Sequence, residues 1–493
     1  MEAIWTAVAI GIAAAVLIAF RERQRQRLSR KPTQWPPGPT RLPLIGNMHQ
    51  ILKGGDPFHV VINKLAQVYG PLMTVWFGTR QPTIIVSGHD LVWEVLVSKS
   101  ADYAAREIPS IFKSSTTTYS TISTSDASPH WHSLRRGFQN GAIGPLSLSV
   151  QAPFQESDMA QMINNMIKEA NLNGGVVKPF QHIRRATIKL LARLCFGSDF
   201  NDEDFEANMD FMVDEALRCN DEARILDTFP AARFLPSVKR TIMKMEKLQL
   251  RVEEYIGRHL ASPPPPNCYA HFLLSQNFPI GVAISSIFEV FILGLDSTGS
   301  TTMWALGLLV HNQEAQQKLY QEIRDHATCT EKGIVKVEEV GKLEYLQAVV
   351  KETMRMKPIA PLAVPHRAAR DTTLDGLHVA EGTTVLVNLY ALHYDPKVWD
   401  EPERFKPERF MESSKEFLGK RGQYSFLPFG AGMRACAGME VGKLQLPFAI
   451  SNLVNAFHWS NAAEGEEPNL SEDFSFILAM KTPLEARIVP RGI

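Results

Sequence analysis

Cysteine is scarce in this sequence and shows no pairing pattern: five occur in 493 residues, Cys195, Cys219, Cys268, Cys329 and Cys436, with no CxxC spacing. So few thiols cannot staple a chain this large, and they read as reduced groups in a cytosol-facing protein. Excess charge is also missing, since 52 basic residues meet 52 acidic ones. That balance argues against nucleic acid and leaves only local basic runs to meet an anionic partner. There is no flavin or nicotinamide fingerprint, so redox chemistry would have to draw its electrons from another protein. The chain does have apolar residues, 45% by composition, enough for a large core.

Residues 4–20 are apolar except for Thr6, and Arg21, Arg23, Arg25, Arg27, Arg30 and Lys31 follow. Positive charge after the run predicts a membrane anchor with its C-terminal end in the cytosol. As a helix the run reaches roughly 26 Å, close to the endoplasmic reticulum bilayer. A cleaved signal peptide, which the small residues 13–15 would suit, carries its charge before the run. Trp35-Pro36-Pro37-Gly38-Pro39 cannot continue a helix and reads as a stiff spacer. The expected organisation is an anchor at 1–20, a basic segment with a proline hinge at 21–55, and one catalytic domain at 56–493.

Within that domain, patterning predicts a helix near 57–69 and a strand pair at 72–77 and 83–86. Residues 114–125 are almost all Ser and Thr, with Tyr119 and Ile122 interleaved, and read as a solvated loop or as a pocket roof. Helical periodicity fills 151–259, prolines at 263–266 break it, and a long helix follows at 281–310. At its centre, Leu293-Gly294-Leu295-Asp296-Ser297-Thr298-Gly299-Ser300 is a poor choice for helix stability. It suits a groove that relays protons; Glu289 and Asp296 argue against a second membrane span.

The densest chemistry lies in Phe429-Gly430-Ala431-Gly432-Met433-Arg434-Ala435-Cys436-Ala437-Gly438. Three glycines allow a tight turn against a flat ligand, Phe429 can shield a sulfur, and Arg434 can meet an anion. A free cysteine ionises near pH 8.5, so a thiolate here needs a metal, a cation or inward-pointing N–H groups. Alone, Cys436 would read as a buried apolar thiol.

The loop resembles the haem-binding signature of the cytochrome P-450 superfamily, Phe-Gly-x-Gly-x-Arg-x-Cys-x-Gly, at every specified position. The resemblance implies a mainly α fold with small β-sheets (α+β), and haem b whose iron is ligated by Cys436, with Phe429, Arg434 and Gly438 around it. Trp131 and Arg135, at i and i+4, fall where the superfamily binds a haem propionate, as does His366. Asp296, Ser297 and Thr298 match its oxygen-activation motif, with Ser297 where Thr is usual. Glu352, Arg355 and Arg409, in Glu-x-x-Arg and Pro-Glu-Arg-Phe contexts, match its structural triad.

Four stretches narrow the resemblance to the methylenedioxy-bridge-forming family of canadine, stylopine and cheilanthifoline synthases, with lignan and piperic-acid relatives. They are residues 293–298, 351–363, 387–393 and 100–106; Ser297 is itself similar to that family. The implied activity is an NADPH- and dioxygen-dependent oxidase that closes a bridge on an ortho-hydroxy-methoxyphenyl group, with net loss of two hydrogens. Phenol coupling or hydroxylation would use the same haem. A non-catalytic haem carrier would have no need of the Asp296-Ser297 proton path.

The expected pocket wall comprises Tyr119, Ile122, Leu293, Leu362, Ala363, Phe476 and Ile477, around a small aromatic substrate. The expected partners are a membrane-bound NADPH-cytochrome P-450 reductase, meeting a basic surface drawn from Arg135, Arg136, Lys420 and Arg421, and membrane lipid. No nucleic acid is expected, and the implied location is the endoplasmic reticulum membrane.

Overall fold

The computed structural model describes residues 35–53, 55–113, 121–411, 424–463 and 467–492. The expected anchor, most of the basic segment, Tyr119, Lys420 and Arg421 lie outside the described residues.

Helices dominate: α1 (Phe58–Tyr69), α2 (Pro129–Gly137), α3 (Pro145–Leu172), α4 (Pro179–Phe196), α5 (Phe205–Ala223), α6 (Pro236–Leu260), α7 (Ile280–His311), α8 (Glu344–Met356) and α9 (Met439–Ala456). Local chemistry starts several of them. Proline opens α2, α3, α4 and α6, where its missing N–H costs nothing. At α2, Ser128 also caps the helix by accepting from the Trp131 amide at 3.1 Å.

The 32-residue α7 is the axis of the body. It is long and apolar enough to cross a membrane, yet Phe291, Leu295, Trp304 and Leu306 are completely buried and the helix packs against α4, α6, α8 and α9. It is a core helix. Its mid-helix alcohols satisfy themselves locally: Ser297, Thr301 and Thr302 each donate to the carbonyl four residues back, at 2.7, 2.8 and 2.9 Å.

A five-stranded sheet flanks the helices: β1 (Leu72–Val75), β2 (Thr83–Val86), β3 (Ala105–Arg106), β4 (His366–Arg367) and β5 (Thr384–Val387), in the order β1-β2-β5-β4-β3. Its parallel pair is β2 with β5, and the other pairs are antiparallel. In register, Arg106 sits opposite His366, so two short strands place a cation beside an imidazole at the cavity edge. The remaining sheets are small hairpins and a three-stranded sheet of Val176–Val177, Phe457–Asn461 and Ala486–Pro490.

The proline stretch packs on this sheet instead of standing off it. Pro37 accepts from the Thr74 amide at 2.9 Å. Asn47, fully buried, donates to the Pro39 carbonyl at 3.0 Å and accepts from the Trp76 amide at 2.8 Å. Pro37, Pro39 and Asn47 of the expected hinge segment are thus tied to the sheet and its flank.

Candidate active site

The thiolate loop runs into α9. Gly430 and Gly432 both hold φ +67°, the left-handed region where a side chain is strained. A Cβ on Gly432 would also stand 1.7 Å from the Leu96 carbonyl oxygen. The third glycine differs: Gly438 has φ −89° and caps α9, with open space where its Cβ would lie. The loop is closed by the Cys436 amide donating to the Phe429 carbonyl at 2.8 Å, and tied down by the Met433 amide donating to Ser100 Oγ at 2.7 Å. Cys436 is exposed, but only towards a deep internal cavity. Burial pushes its thiol up, while the Gly438 N–H and the Arg135 guanidinium pull it down.

A cationic rim borders the same cavity. Arg106, Arg135, Arg434 and His366 all line it. Arg434 donates to the carbonyls of Ala104 (2.7 Å), Ile122 (3.1 Å) and Ser125 (2.5 Å). Arg135 donates to Ala435 at 2.7 Å. Arg106 donates to Val364 and Pro365 at 2.9 and 3.2 Å, and its buried Nε has no partner. Among the described residues no carboxylate pairs with any of the three. Burial, aided by the other two guanidiniums, pushes Arg106 down to about 9, and burial pushes Arg434 to about 10. Burial beside Arg106 and Arg434 pushes His366 to about 3, so it is neutral, and its Nδ1–H donates to the Tyr103 carbonyl at 2.8 Å.

Three cations set around a thiol, Arg106 buried and Arg135 and Arg434 half-buried, with no ion-paired carboxylate among the described residues, fit haem with its two propionate carboxylates. Arg106 had no role in the sequence reading, because its partners come from strand register and not from neighbouring residues. Trp131 stands behind this rim: its indole N–H donates to the Ile122 carbonyl at 2.8 Å and it does not line the cavity. Its ring instead supports Arg434, whose guanidinium carbon lies 4.4 Å from the ring centroid.

Helix α7 lines the same cavity, contributing Leu293, Ser297, Thr298 and Thr301 to the wall. Asp296 does not line it. Its carboxylate is held by Arg184 of α4, which also binds Asp210 and Asp214 of α5. Burial raises the Asp296 carboxyl above its ordinary value against the pull of Arg184. Arg184, unnoticed in sequence, thus joins the acid behind the wall to Asp214, half-exposed at the surface.

The cavity encloses about 1600 Å³. The expected wall residues Ile122, Leu293, Leu362, Ala363, Phe476 and Ile477 all line it, as do Phe429 and Gly438. Ala363 holds φ +51°, a left-handed position for a non-glycine in the turn that carries Leu362 into the cavity.

Glu352, Arg355 and Arg409 are brought together away from the cavity. Arg355 makes two bonds to Glu352 at 2.8 and 2.9 Å, and Arg409 Nε adds a third at 3.0 Å. Spare donors reach the carbonyls of His393, Pro402 and Asp400. The cluster clamps α8 to the segment leading to the thiolate loop. Of the basic residues expected to meet a reductase, Arg135 is turned inward to Ala435, whereas Arg136 is exposed.

A family model described as cytochrome P-450 matches residues 36–486. The chain is 50% identical over 461 residues to an (S)-canadine synthase of Coptis japonica, covering 93% of each chain. It is 51% identical to a piperic acid synthase of Piper nigrum, over 93% of this chain and 91% of that one. A pluviatolide synthase of Podophyllum peltatum is 47% identical, over 98% and 97%. Two solved structures of a zebra fish cytochrome P-450, with abiraterone and with progesterone, share the fold at TM-scores of 0.71 and 0.76 and 25% identity. They cover 88% and 89% of this chain and 100% of their own. The family model spans the thiolate loop, α7 and the buried triad alike, and the chain belongs to the cytochrome P-450 family.

Proposed function

We propose that the protein closes a methylenedioxy bridge on an ortho-hydroxy-methoxyphenyl group of a plant metabolite: a benzylisoquinoline alkaloid, a lignan or a piperic- or ferulic-type acid. The observation that carries this reading is identity of about half, along more than nine-tenths of the chain, to synthases named for canadine and piperic acid. Substrate, dioxygen, NADPH and one proton become the bridged product, two waters and NADP⁺. The methyl carbon stays, and the substrate loses two hydrogens.

Haem bound through Cys436 supplies dioxygen activation and one-electron chemistry. The chain's own residues set the conditions. The loop at 429–438 fixes the sulfur, and Arg106, Arg135, Arg434 and neutral His366 anchor the propionate edge. The Ser297 hydroxyl donates its hydrogen bond to the Leu293 carbonyl, which leaves its oxygen lone pairs free to accept from water in the cavity. Asp296, held by Arg184 behind the wall with its carboxyl raised by burial, is the acid that passes protons through water to that alcohol. The apolar wall of Ile122, Leu293, Leu362 and Phe476 holds the ring so that phenol oxygen and methyl carbon stay within bonding reach.

Electrons come from a separate NADPH-dependent reductase, and residues 1–20 anchor the protein in the endoplasmic reticulum membrane with this body in the cytosol. The test is turnover of a panel of ortho-methoxyphenols by membranes containing the protein and a plant reductase. A product two hydrogens lighter that retains every carbon is expected. Gain of oxygen, loss of formaldehyde or a carbon–carbon dimer would overturn the proposal.

A further inference from the structure

Glu289 stands on α7 two turns before Ser297, at the cavity wall, and is 9% exposed. Among the described residues no cation lies within ion-pair distance of it. Four donors from one irregular segment converge on it: Thr121 Oγ1 at 2.5 Å, the Ile122 amide at 2.9 Å, the Ser123 amide at 2.8 Å, and Ser123 Oγ. The opposite side of the segment is held from the rim. The Ile122 carbonyl accepts from Trp131 Nε1 at 2.8 Å and from Arg434 at 3.1 Å, and the Ser125 carbonyl accepts from Arg434 at 2.5 Å.

We propose that Glu289 is a positioning residue that seats residues 121–125 as the roof of the substrate cavity and couples that roof to the propionate-binding arginine. The Ile122 peptide is the junction, with its N–H on a carboxylate and its C=O on a guanidinium. Thr121, Ile122 and Ser123 all face the cavity, so the seat fixes where the Ile122 side chain meets substrate. The segment has no helix or strand of its own, and the clamp supplies what a backbone ladder would. Only a carboxylate suits the seat: an amide would turn an NH₂ donor towards donors.

The test compares the full-length holoenzyme with Glu289→Gln and, from the other side of the same bonds, with Thr121→Val/Ser123→Ala, which leaves α7 intact. Amide hydrogen exchange across 121–125 is read without substrate. Both variants are expected to keep the haem-thiolate carbon monoxide spectrum. Exchange at Ile122 and Ser123 should quicken by about tenfold or more in Glu289→Gln, the scale of one lost charge-assisted hydrogen bond. KM should rise by roughly the same factor with kcat within about threefold. Unchanged exchange in both variants would overturn the proposal, as would a rise in KM without faster exchange. The exchange measurement stands even if the bridge-forming reading fails.

Discussion

At Gly432 one methyl group decides whether the thiolate loop can close. Its Cβ would collide with the Leu96 carbonyl, and the backbone there is already left-handed, so relief requires moving the loop. Gly432→Ala is expected to abolish the haem-thiolate carbon monoxide spectrum; a normal spectrum would show that the loop adapts. Ser297→Ala should keep that spectrum and lower product formed per NADPH by about tenfold or more, a smaller loss than the hundredfold or more of a general acid removed outright, because cavity water can stand in for the hydroxyl. Unaltered coupling would remove Ser297 from the proton path. Residues whose chemistry sits in a contiguous motif, such as Cys436 and Ser297, stand out as candidates in the sequence, and both line the cavity. Arg106, Arg184 and the seat role of Glu289 do not stand out there, because each is defined by partners far along the chain: Arg184 meets Asp296 across 112 residues, and Thr121 meets Glu289 across 168.

Helix α8 is fixed by a charge cluster that cannot lose a member cheaply. Glu352 and Arg355 are completely buried, so Glu352→Ala strands two guanidiniums without their anion. A loss of about 3–5 kcal/mol is expected for breaking such a pair, read from denaturant unfolding of the haem-bound protein. A change below about 1 kcal/mol would mean that the remaining carbonyl contacts suffice. Next to it, burial and Arg355 push His393 down to about 3, against about 6.5 for an unperturbed imidazole. The folded protein keeps the ring neutral where the unfolded chain takes up a proton. Its contribution is therefore complete above about pH 6.5 and drains as pH falls towards 3, with a limiting slope of about 1.4 kcal/mol per pH unit. His393→Gln should flatten this part of the stability profile; parallel profiles would contradict the assignment.

Long elements were readable because periodicity accumulates: the helix expected at 281–310 is Ile280–His311, and the one at 57–69 is Phe58–Tyr69. The two-residue strands β3 and β4 carry no such signal, and they are what pairs Arg106 with His366.

Taken together, the described residues form a helical body with a large cavity that a thiol and the α7 alcohols both line. Composition foresaw the large core, and the loop motif foresaw the cofactor and fold. The shape of the cavity was not readable, because its wall is assembled from segments hundreds of residues apart, including Ile122, Leu293 and Phe476. Nor was the docking of residues 35–53 onto β1, since Asn47 finds Trp76 only in the folded state. Substrate identity lives at this scale, and chemistry at the O-methyl carbon tests it most directly. That measurement is the mass of product formed from ortho-methoxyphenols carrying a fully deuterated O-methyl group. The account predicts a closed ring that keeps two of the three deuteriums. A product that keeps all three, or loses the labelled carbon altogether, would contradict it.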